Sequence, residues 1–137
     1  MSFSNEFLYD FKPVYEGILM AKDVKPERAV VEVIDEEQEG AGMFEPAGAL
    51  EVLEQIGDDV NTLTIYTDRA AYFREFAETM YEKNGLVSLI VSKKRLGLAK
   101  KTVGCSSIFL FDFEWNSAFY EKQIALGKHY IPCLLYT

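Results

Sequence analysis

The chain has 137 residues, 49% of them hydrophobic and 19 aromatic, enough for the core of one domain and short for two. Its formal charge of −8 repels a phosphate backbone, which excludes nucleic acid as a partner for the chain as a whole. No apolar run of roughly 18 residues is present for a membrane span, and the acidic start MSFSNEFLYDF is unlike a signal peptide. Two cysteines, Cys105 and Cys133, lack metal spacing and are too few for a disulfide framework. A single cytoplasmic domain over 1–137 is expected, with 1–9 as a loosely ordered arm.

Phe11, Tyr15, Ile18, Leu19 and Lys22 fall on one helical face, with Asp10 placed to cap the helix and Pro13 in its first turn. After a turn at Lys25-Pro26, RAVVEVID reads as the first strand. Glu32 stands in the middle of it, where a bare carboxylate is costly, so either the strand is partly uncovered or Glu32 has a buried partner. Pro46 opens a helix with Leu50, Leu53 and Ile56 on one face and Gly57 as a left-handed C-terminal cap. LTIYT is the second strand. Asp68 is placed to cap the next helix, in which Phe73, Phe76, Ala77 and Met80 recur at helical spacing before Gly85 ends it. LVSLIV, SIFLF and YIPCLLY are strands three to five, and 93–104 and 114–127 each have room for a short helix.

This alternation of strands and helices predicts an α/β, three-layer domain with five mainly parallel strands, and it resembles Rossmann-like and flavodoxin-like folds. The expected order is 3-2-1-4-5, with the order reversing between strands one and four, and Pro132 marking strand five as an edge.

In a parallel sheet all strands end at one edge, which gathers Asp35, Glu36, Asp68 and Asp112 there, with Glu114 just beyond. Asp35 and Asp112 are candidate ligands for magnesium, supported by Glu36 and Glu114, and the cation would let an acidic edge hold phosphate. The structural alternative is that an aspartate ending a strand caps the following helix. Gly40 and Gly42 in EGAG come five residues after the strand and behind four carboxylates, which does not fit a dinucleotide fingerprint, and no P-loop or nucleophile elbow is present. The segment 36–45 is therefore a long acidic loop suited to binding or to a lid. His129 and Cys105 precede strands, at the amino edge, as a packed histidine and cysteine or as a base and nucleophile.

KKRLGLAKK, 93–101, supplies five of the fourteen basic residues. It reads as a short amphipathic helix with solvated lysines, or as a dock for a small anionic ligand or for the acidic surface of a second copy in a homo-oligomer. FDFEW puts Phe111, Phe113 and Trp115 on one side and Asp112 and Glu114 on the other. No catalytic set is complete, which favours a non-catalytic ligand- or protein-binding or assembly module with no bound cofactor. The alternative is a magnesium-dependent enzyme acting on a phosphate ester.

Overall fold

The computed structural model describes residues 10–36, 48–98, 108–114 and 117–133. Five strands, β1 (Val30–Ile34), β2 (Thr62–Tyr66), β3 (Ser88–Val91), β4 (Ile108–Asp112) and β5 (His129–Pro132), form one sheet of order β3-β2-β1-β4-β5. Every neighbouring pair is parallel. That is the 3-2-1-4-5 arrangement of a doubly wound sheet and differs from the flavodoxin order 2-1-3-4-5, and the order reverses between β1 and β4. Pro132 lies on an edge strand, where its missing N–H breaks no central ladder.

The helices are α1 (Lys12–Ala21), α2 (Ala49–Ile56), α3 (Ala70–Asn84) and α4 (Ser117–Ala125), with 3-10 turns at Pro26–Arg28, Gly57–Asp59 and Lys93–Leu98. Odd-numbered positions of the central strands, Val31, Val33, Ile65, Phe109 and Phe111 among them, join Phe11, Tyr15, Leu53 and Phe73 in one core, so α1, α2 and α3 share one face. The other face carries a smaller core of Ile34, Tyr66 and Leu110. It is paired with α4 through Lys128, whose ammonium donates to Glu32 Oε1 at 2.6 Å and to Gln123 Oε1 at 2.6 Å. This is the buried partner Glu32 requires. Tyr66 belongs to the same set, its phenol pKa raised by burial and by the charge and hydrogen bond of Glu32.

Three end signals differ from the sequence expectation. Asp10 is exposed and the N-cap position of α1 is Phe11, with no side-chain cap; Phe11 is wholly buried and its N–H donates to Gln55 Oε1 at 2.6 Å. Gly57 is right-handed, at φ −55° and ψ −29°, because the chain tightens into a 3-10 turn there. Its small size answers a different need, since a Cβ would come within 2.7 Å of Met80 Cε. Asp68 does not cap α3 either; its Oδ1 accepts from Ser92 Oγ at 2.9 Å and from the Lys93 N–H at 3.3 Å. Gly85 does end α3 in the left-handed region, at φ +71°. The expectations for the 1–9 arm, Gly40, Gly42, Pro46, Cys105 and Trp115 lie outside the described residues.

Candidate functional site

The carboxyl ends of β1 and β4 bring polar groups into places that strands of this composition would otherwise fill with apolar side chains. Asp35 and Asp112 are wholly inaccessible to solvent, and Thr67 and Lys93 are buried beside them. Asp35 follows β1 directly, and its N–H still donates to Tyr66 O at 3.0 Å, so the ladder with β2 carries it to the edge. Its carboxylate is held from β2's end: Oδ2 accepts from Thr67 Oγ1 at 2.8 Å and from Arg69 Nε at 2.7 Å, and Oδ1 accepts from Arg69 Nη2 at 2.8 Å. Thr67 Oγ1 in turn accepts from the Arg69 N–H at 3.0 Å. The guanidinium is thus fixed as a fork on the carboxylate, and its other side lies on the Tyr72 ring, 4.0 Å from the centroid.

Glu36 is held by the same arginine and by a helix. Arg69 Nη2 lies 3.4 Å from Glu36 Oε1, and the Ala49 N–H donates to Glu36 Oε2 at 3.1 Å. The N-cap of α2 is Gly48, which has no side chain to offer its own helix. Glu36 supplies that carboxylate from the preceding segment, and Glu51 accepts the Gly48 N–H at 3.0 Å. A Cβ at position 48 would sit 2.0 Å from Glu36 Oε1, so the glycine makes room for the carboxylate. Burial raises the Glu36 pKa from 4.5 to about 7, with the charge of Asp35 adding to the rise and the Ala49 N–H and Arg69 opposing it.

Asp112 and Glu114 form the second half of the edge. Asp112 Oδ1 accepts from the Glu114 N–H at 2.9 Å, and Oδ2 accepts the Tyr130 hydroxyl of β5. Glu114 is paired with the ammonium of Lys93, which arrives from the end of β3. Register pairs Ile34 with Asp112, so these two share a face, and Asp35, one residue on, starts on the opposite face with Thr67. The structure therefore joins Asp35 to Glu36 and Asp112 to Glu114, placing the two pairs on adjacent strands at the point where strand order reverses.

Among the described residues no three His, Cys, Asp or Glu side chains are grouped to hold a metal. Magnesium, which keeps most of its waters, asks for one or two carboxylates. Cys133 is a buried free thiol whose pKa is raised by burial and by Asp112, the opposite direction to an activated thiolate. His129 opens β5 at the amino edge with its ring 5.0 Å from that of Phe109, away from the carboxylates. Sequence reasoning missed Thr67, Arg69, Lys93 and Tyr130 as partners. Arg69, a cation three residues past the end of β2 on the acidic edge, was the available signal. Comparison of the chain with protein-family models, curated proteins and solved structures gives no significant match.

Proposed function

We propose that this chain is a ligand-binding domain whose carboxyl edge takes a small phosphate-bearing molecule through a divalent cation. The observation that supports this reading is the pair of wholly buried carboxylates, Asp35 and Asp112, at the reversal of strand order. Charge decides the manner of binding. Of the four carboxylates at this edge, Asp35 and Glu36 pair with Arg69 and Glu114 with Lys93, while Asp112 meets the Glu114 N–H and the Tyr130 hydroxyl, so a bare anion meets a net negative edge. A cation held through its waters at the Asp35 side or the Asp112 side of the edge would neutralise the phosphate. Arg69 is the cation of the chain best placed to turn from Asp35 to the ligand, since Tyr72 supports it from outside.

A second reading, a magnesium-dependent enzyme acting on a phosphate ester, is favoured by one feature: Glu36 titrates near 7, where a carboxyl exchanges a proton at physiological pH. In that reading Glu36 moves the proton and Arg69 orients the phosphate.

Thermal unfolding tests both. Magnesium with inorganic phosphate at about a hundredfold excess over Kd stabilises by about 2.7 kcal/mol, a rise of roughly 5–10 °C. Sodium chloride at matched ionic strength is expected to give much less, and Asp35→Asn or Asp112→Asn to remove the response while Asp58→Asn, on an exposed turn, retains it. Equal responses to the two salts would retire both readings. Release of phosphate from a panel of phosphate esters, lost in Glu36→Gln with the binding response kept, would select the enzyme.

A further inference from the structure

We propose that β3 pairs with β3 of a second copy of this chain, antiparallel about a twofold axis at Leu89, joining two five-stranded sheets into one of ten. β3 ends the strand order, and among the described residues it pairs with β2 alone. Its outer row of N–H and C=O groups is a template for another strand. Two of the usual protections are missing from the strand itself: SLIV has no charge and no proline, whereas the opposite edge carries Pro132. Two apolar side chains lie open beside it, Val87 at 63% and Leu89 at 57% exposure.

The sequence of this edge matches itself when reversed. With the twofold at Leu89, Leu89 meets its own symmetry mate, Val87 meets Val91 of the second copy, and Ser88 meets Ile90. All are uncharged. The flanking helix is complementary in the same sense. Glu78, Tyr81 and Glu82 of α3 border Val87 and Ser88 along a groove of about 280 Å³, and Arg74, Glu78 and Glu82 are exposed and spaced four apart, on one stripe. Run antiparallel, that stripe sets Arg74 against Glu82 of the second copy, twice by symmetry, and these two ion pairs flank a like-charge contact of Glu78 with its own mate. A chain of net charge −8 repels its copies on average, and this strand is a strip that carries no charge to add to the repulsion. Such an interface is closed: it makes dimers and stops there.

The test is sedimentation velocity across about 1 μM to 1 mM. Wild type is expected to reach twice 15.6 kDa. Leu89→Lys should remain monomeric over the same range with an unchanged circular dichroism spectrum, while Met20→Lys, on the exposed side of α1, should dimerise as wild type. If Leu89→Lys fails to fold, Val87→Lys, outside the strand, serves in its place. Arg74→Glu should weaken the dimer at least tenfold, and Arg74→Glu combined with Glu82→Arg should restore it. A wild type monomeric at every concentration, a folded lysine variant that dimerises normally, or a mass growing past two copies through head-to-tail contact of basic and acidic surfaces would each overturn the proposal.

Discussion

Arg69 keeps two carboxylates tolerable at once. Asp35 has no access to water and Glu36 little, so removing the guanidinium strands one full negative charge and part of another. Arg69→Met, which preserves the stem over Tyr72, is expected to cost about 3–5 kcal/mol in urea unfolding. Asp35→Asn in the same background should recover part of that loss, because the charge left unpaired is then gone. Glu36 yields a prediction in pH. Below 4.5 the carboxyl is protonated in both states and contributes nothing. Between 4.5 and about 7 the unfolded chain gives up this proton while the folded chain keeps it, so stability falls as pH rises. Above 7 the cost is complete, on the order of 3 kcal/mol. Melting curves from pH 4 to 8 should show this decline in wild type and a flatter profile in Glu36→Gln, whose amide oxygen can still accept the Ala49 N–H. An equal slope in both would assign the decline to other groups.

At the scale of elements, α3 is held to the sheet by Phe73, Phe76 and Met80. Phe76→Ala is expected to cost about 3–5 kcal/mol by denaturant titration. That face was legible in the sequence because burial on one side imposes the helical period, whatever the neighbours are. The strands were legible as short, mainly apolar runs, with β1 and β4 buried almost throughout and the edge strands β3 and β5 only partly. The ends were harder. Asp68 has the right residue type and place for a cap, yet Ser92 and Lys93, 24 and 25 residues away, hold its carboxylate. Gly57 looks like a left-handed cap, and its contact with Met80 comes from the way α3 crosses the turn. Local pattern describes what a residue is able to do, and tertiary contacts choose among those options. The candidate site shows the same division. Chain direction alone put Asp35, Glu36, Asp112 and Glu114 at one edge. Their grouping into two pairs depends on Arg69 and Lys93, 34 and 21 residues from the carboxylates they meet, which no local pattern encodes.

Across the whole molecule, the two faces of the sheet are built differently. One is a broad apolar core under three helices, and the other combines a small apolar cluster with a wholly internal polar set. The melting temperature is expected to be the same with and without dithiothreitol, since Cys133 is a buried free thiol; a large drop would reveal a structural disulfide. No helix among the described residues is long and apolar enough to cross a membrane.

Glu32 and Lys128 lie 96 residues apart, one in the central strand and the other just before the last. A half-assembled sheet of β1, β2 and β4 would hold a bare carboxylate at its centre, so partial structures are penalised until the final strand arrives and brings the ammonium with it. The pair is thus expected to act during folding as a check on completeness, which refolding kinetics test. Replacing both members with Leu and Met would relieve the penalty, and refolding kinetics should then show a rollover at low denaturant, the mark of an intermediate that the native pair keeps from accumulating.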